Sequence, residues 1–124
     1  MSIFQTAKEQ GKQASAYGFD WPSSSAVMYK VLEEAQELHV AVQENDRDGI
    51  RHEMGDVLLA LASLARHTDL SMEQAFHDAI QRFHSRWNEM QRLATLRNIS
   101  IETLSSTEWE ALWENAKAEL DRRA

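Results

Sequence analysis

One proline and four glycines in 124 residues leave long stretches with nothing to break a helix. That scarcity points to an all-α chain, and the remaining punctuation divides it into about five helices. A weakly amphipathic first helix is expected from about Ile3 to Tyr17, ending at Gly18. The segment Phe19-Asp20-Trp21-Pro22 reads as a loop, and Ser23 to Ser25 offer N-caps for a second helix. That helix carries Val27, Val31, Ala35, Leu38 and Val42 at helical spacing and runs to about Glu44. Asn45 to Gly49 has turn chemistry, and a third helix begins near Gly49. Its run Val57 to Ala65 is apolar but for Ser63, so it is expected to be buried on more than one side, centrally or at a subunit interface. Arg66 and His67 in its last turn suit the negative end of the helix dipole. Ser71-Met72-Glu73-Gln74 is a capping box opening a fourth helix to about Arg97. An irregular segment around Asn98 to Leu104 contains the brief strand-like alternation Ile99 to Ile101. Ser105-Ser106-Thr107-Glu108 then caps a last helix ending near Asp121.

Length and composition narrow the function. The chain is expected to be one domain, 1–124, large enough for one core and not two. It has no cysteine, which excludes thiolate metal sites, disulfides and cysteine nucleophiles. No stretch is long and apolar enough to cross a membrane, and the N-terminus lacks a secretory pattern, so no membrane partner and a cytoplasmic location are expected. The net charge of −7 argues against nucleic acid as a partner.

Two acidic pairs then stand out, Glu34-x-x-Glu37 and Glu53-x-x-Asp56, nineteen residues apart on consecutive helices. Residues three apart share a helix face, so each pair aims two carboxylates the same way. If the second and third helices fold back through the Asn45 turn, four carboxylates can converge. Four acids at close range repel, which makes sense mainly around a cation, and an all-oxygen set suits Mg²⁺, with Mn²⁺ as a substitute. A glutamate pair alone is ordinary surface decoration. Here Gly55 sits inside the second pair, costing about 1 kcal/mol in a helix interior and so wanting a packing reason. Asp56 abuts the apolar run, and Lys30 lies one turn before Glu34, where it could reach a phosphate. Arg82, Arg86, Arg92 and Arg97 follow the acidic half, though scattered arginines usually only solvate helix faces. Four-helix di-iron chemistry uses Glu-x-x-His pairs and none occurs, so the five histidines read as ordinary surface or boundary residues.

The segments Gly18-Phe19-Asp20-Trp21-Pro22, Lys30 to Leu38 and Glu53-Met54-Gly55-Asp56-Val57-Leu58-Leu59 together resemble the MazG nucleoside triphosphate pyrophosphohydrolases. The likeness is strongest to the C-terminal, catalytically competent half of two-domain MazG. It continues through Leu64 to His67, Arg82-Phe83, Arg86-Trp87 and Leu112 to Lys117, and so runs from about Thr6 to Leu120. The resemblance implies an all-α helical bundle that forms a homodimer or a dimer of dimers. It also implies Mg²⁺-dependent cleavage of a nucleoside triphosphate to the monophosphate and pyrophosphate. It puts the metal ligands on Glu34, Glu37, Glu53 and Asp56, phosphate-meeting groups on Lys30, Arg82 and Arg86, and nucleotide recognition on Trp113 and Lys117. Two positions depart from the family pattern. Ile80 stands where asparagine is common and Ser85 where a second arginine often precedes Arg86, which leaves the substrate spectrum open.

Phosphoryl transfer to water is the chemistry such a site would perform, with the metal neutralising charge and the cations positioning phosphates. Glu33 and Glu37 are both candidates to take a proton. Trp113 also has a plain reading, as core on an amphipathic helix with Trp109 and Lys117 beside it, and Trp21 reads as a loop anchor. Two alternatives stand beside the pyrophosphohydrolase: a pyrimidine-selective dUTP or dCTP pyrophosphatase with the same ligands, and a catalytically silent dimeric helical module binding nucleotides or a protein. Retention of all four acids disfavours the silent module.

Overall fold

A computed structural model describes all 124 residues, Met1–Ala124. It contains five α-helices and one short 3₁₀ turn: α1 Ile3–Ala16, α2 Ser24–Gln43, α3 Arg47–His67, α4 Met72–Leu96, the 3₁₀ turn Ile101–Thr103, and α5 Ser106–Arg123. The all-α expectation holds. The strand-like alternation at Ile99 to Ile101 does not form a strand; the segment runs into the 3₁₀ turn instead.

Each start has a local cause. The Ser2 hydroxyl accepts from the Gln5 amide while the Gln5 side chain accepts from Ser2 N–H, and Ser105 and Glu108 repeat this reciprocal box. Ser23 accepts from Ala26 N–H, and Ser71 Oγ from Gln74 N–H. Asp46 caps α3 by accepting from Gly49 N–H at 3.1 Å, so that helix starts two residues earlier than the turn chemistry indicates. A Cβ at Gly49 would fall on the Asp46 carboxylate, which explains the glycine there. The ends of α1 to α4 also share one device. Gly18, Asn45, Asp69 and Asn98 all adopt positive φ. The next residue's amide then reaches back to a carbonyl five positions earlier, as Phe19 to Ala14, Asp46 to Ala41, Leu70 to Ala65 and Ile99 to Ala94 do. Glycine, asparagine and aspartate are the residues that tolerate this backbone.

The chain forms two compact units, Met1–Ala75 and Phe76–Ala124. In the first, α2 and α3 pack along one another and α1 packs on α3. A connection of three residues makes α2 and α3 a helical hairpin, centred near Asn45. Val27, Val31, Glu34 and Ala41 form the buried stripe of α2. In α3 only Ala60 is buried. The run Val57 to Ala65 is therefore not buried on several sides within the chain; Leu58 and Leu59 are each about half exposed. A single hairpin partner plus α1 covers too little of the helix circumference. Gly55 likewise has no close neighbour that would explain it, since a Cβ there meets nothing within 4 Å.

The second unit is built from most of α4 together with α5. Met90, Leu93, Ala94, Leu112 and Ala116 form its core, with Trp87, Ile99, Ile101, Leu104, Trp109 and Trp113 packed against it. Trp87 and Trp109 stack at 6.0 Å between ring centroids. No helix of either unit is long and apolar enough to cross a membrane.

Candidate metal centre and nucleotide-facing residues

The helical hairpin decides which acids meet. Positions equidistant from Asn45 face each other when helices fold back around it, and 37 and 53 are such a pair. Glu34, Glu37 and Glu53 each offer an oxygen, and the three lie within 4.8 Å of one another. Asp56 joins a second triple with Glu53 and His52, under the same limit. Glu53 thus belongs to both groups. The histidine belongs to no Glu-x-x-His pair, although its i,i+4 spacing to Asp56 is readable in the sequence.

Glu34 is only 6% exposed. Its Oε1 accepts from Lys30 Nζ at 2.9 Å, and this bond with the ammonium holds the Glu34 carboxyl below its ordinary range despite burial. Its Oε2 is buried with no hydrogen-bond partner, and so is Oε2 of Glu53. Two carboxyl groups meet here with no donor for either of those atoms. Glu53 responds as such a group must. Burial, and then the hydrogen bond it can share with Glu34 only when protonated, push it up to about 7. A proton is one remedy for this frustration and a divalent cation is the other. The oxygen-rich donor set, its closeness and its two orphaned atoms fit a hard cation.

Lys30 lies on α2 and is engaged by Glu34 and, at 3.4 Å, by Glu33. The Glu33 carboxylate is mostly exposed. At the far end of α3, Arg66 and His67 do more than face the helix dipole. Arg66 grips Asp20 with two bonds of 2.8 and 2.9 Å, and His67 Nε2 lies 2.8 Å from Asp20 Oδ1. Those partners, Arg66 foremost, hold the Asp20 carboxyl well below the usual carboxylate range. This clasp ties the loop bearing Phe19 and Trp21 to α3, beside a cleft of about 370 Å³ lined by Phe19, Trp21, Leu59, Ala62 and residues of α1.

The remaining sequence candidates lie in the second unit. The Arg86 guanidinium sits over the Trp113 ring at 5.3 Å, and Phe83 meets the same ring at 5.8 Å. Trp113 therefore has one side on the core and another against aromatic and cationic neighbours. Lys117, one turn on in α5, pairs with Glu114 at 3.3 Å. Arg82, Ile80 and Ser85 are exposed.

Comparison with known proteins agrees with this arrangement of elements. The model of the MazG nucleotide pyrophosphohydrolase domain matches residues 23–90, the stretch containing all four acids. The nucleoside triphosphate pyrophosphohydrolase of Escherichia coli K12 is 30% identical over 113 residues, covering 90% of this chain and 43% of its own length. The nucleoside triphosphate pyrophosphohydrolase/pyrophosphatase MazG of Thermotoga maritima is 31% identical over 111 residues, covering 90% of this chain and 42% of its own. The chain spans less than half the length of these relatives. A family model matched over more than half of the residues, together with relatives aligned along nine-tenths of them, means that this chain belongs to the MazG nucleotide pyrophosphohydrolase family.

Proposed function

We propose that this protein hydrolyses nucleoside triphosphates to the monophosphate and pyrophosphate, using a divalent metal held by Glu34, Glu37, Glu53 and Asp56. The observation that carries the reading is the buried pair of donorless oxygens on Glu34 and Glu53, inside the segment matched to the family. When bound, Mg²⁺ or Mn²⁺ would neutralise phosphate charge and make water a better nucleophile. The chain's own residues do the rest. Glu34 and Glu53, fixed by the hairpin, hold their oxygens in place before any ligand arrives, so little ordering is left for the reaction. Lys30 meets a phosphate oxygen by exchanging one of its carboxylate partners. The family resemblance assigns Arg82 and Arg86 to the phosphates and Trp113 with Lys117 to the base. Water adds to phosphorus as the bridge between the α- and β-phosphates breaks. The proton lost by that water passes to a carboxylate, Glu33 or Glu37.

Self-association accompanies this reading. Leu32 on α2 and Met54, Leu58 and Leu59 on α3 leave the hairpin with half-exposed apolar side chains. A second copy laid on these helices would cover them, making a homodimer or a dimer of dimers. Light scattering at micromolar concentration tests this, and a monomer would refute it. The activity is tested by pyrophosphate release from a panel of purine and pyrimidine triphosphates with Mg²⁺, Mn²⁺ and chelator. Release that persists in chelator would refute the metal, and accumulation of nucleoside diphosphate would refute the site of cleavage.

A further inference from the structure

His52 occupies a place that no spacing rule for di-iron or zinc sites marks out. Its Nε2 lies 3.1 Å from Asp56 Oδ2, one turn on in α3. His52, Glu53 and Asp56 present three donor atoms within 4.8 Å of one another, and Glu53 is shared with the all-oxygen triple Glu34, Glu37, Glu53. Glu53 Oε2 is buried and lacks a donor, as does Oε2 of Glu34, whose side chain is more than nine-tenths buried. Of the other histidines, His67 is taken up by Asp20, His84 faces Asn88, and His77 neighbours Asp78. Only His52 brings an imidazole to the acid cluster.

We propose that His52 is a nitrogen ligand of the metal centre, forming with Glu53 and Asp56 a mixed nitrogen–oxygen position that takes a first-row transition ion in preference to Mg²⁺. The proposal rests on the carboxylate metal reading above and adds a selectivity to it. Mg²⁺ prefers oxygen ligands and gains little from an imidazole, whereas affinity for Mn²⁺ and the ions after it rises when nitrogen joins the set. The helix supplies the geometry. Glu53 and Asp56, three residues apart, share a helix face, and the largely exposed His52 ring reaches Asp56 from one turn before it, where an incoming ion would compete for its Nε2.

The test uses the full chain stripped of metal, with Mn²⁺ and Mg²⁺ as probes. Pulsed electron paramagnetic resonance of the Mn²⁺-loaded protein should show coupling to an imidazole nitrogen that His52→Ala removes. Calorimetry should show Mn²⁺ affinity falling at least about tenfold in His52→Ala while Mg²⁺ affinity changes by less than about threefold. Glu53→Gln should weaken both ions. Mn²⁺ bound without nitrogen coupling would overturn the ligand role and leave the carboxylate site standing. So would parallel loss of both ions in His52→Ala, because His52 would then merely orient Asp56 through a hydrogen bond. Failure of the unaltered protein to bind either ion would overturn both readings.

Discussion

Glu34 and Glu89 are buried alike, at 6% and 5% exposure, yet their surroundings are opposite. Glu89, in the second unit, accepts from Arg92 and Arg123, and nearby Glu119 is ringed by Arg92, Arg122 and Arg123. Those arginines hold the carboxyls of both glutamates below their ordinary range. Glu34 has one lysine and then faces carboxylates, with an oxygen left over. A satisfied buried charge ties α4 to α5. An unsatisfied one is costly to keep, and that cost is tolerated where a ligand will remove it.

The largest effect should come from removing an acid on the frustrated side. Glu53→Gln or Asp56→Asn should lower pyrophosphate release by orders of magnitude, while circular dichroism stays helical and the metal-free melting temperature holds or rises. Near-normal turnover in both variants would break the comparison. Trp113→Ala should reduce kcat/KM by about 1–3 kcal/mol equivalent, the scale of a lost stacked base. It should also lower the melting temperature, because the ring packs on the core. Trp113→Phe should recover most stability, and Lys117→Ala should change kinetics alone. A Lys117→Ala protein with unaltered kinetics would move that residue out of the site. On the satisfied side, Glu89→Gln should lower the melting temperature by several degrees and leave turnover at 25 °C near normal, since its partners are arginines and no substrate group. Loss of turnover without loss of stability would reverse the assignment.

The smallest and most diagnostic effect is in pH. Glu53 is raised from 4.5 to about 7, so in metal-free protein its contribution is fully present below pH 4.5 and is lost as pH rises through 7. Glu89 is lowered, so its contribution is present above pH 4.5 and is lost as pH falls. Urea midpoints of the metal-stripped protein should therefore drop between pH 4.5 and 8, and Glu53→Gln should flatten that drop. A midpoint that rises over this range in the unaltered protein, and equally in Glu53→Gln, would contradict the burial of the Glu53 oxygen.

What could be read from the sequence follows the range of the interactions. Helix starts at Ser23, Ser71 and Ser105 are written in the next three residues, and the structure keeps them. The acidic pairs are legible because a helix repeats every 3.6 residues. Burial was less legible. The apolar run in α3 could not reveal how little of it one partner helix covers, and nothing near Glu89 in sequence marked it as interior. The arms of the Asp20–Arg66–His67 clasp span 46 and 47 positions, so only tertiary structure could join it. His52 is illegible for a different reason: the di-iron pattern sets a histidine three residues after a glutamate, whereas this one precedes its aspartate by four.

The hairpin between α2 and α3 has a consequence for how such sites are found. The separation of nineteen residues between the two acidic pairs is set by the length of the bend and not by the chemistry of any ion they would hold. Three residues, Glu44 to Asp46, turn the chain. A relative whose bend is longer by a few residues would carry the same four oxygens at a correspondingly larger separation and lose nothing. Fixed spacing is then a poor probe for this centre, and mirror placement about the bend is a better one: two acidic steps of three, at equal distances from the residue where the backbone reverses.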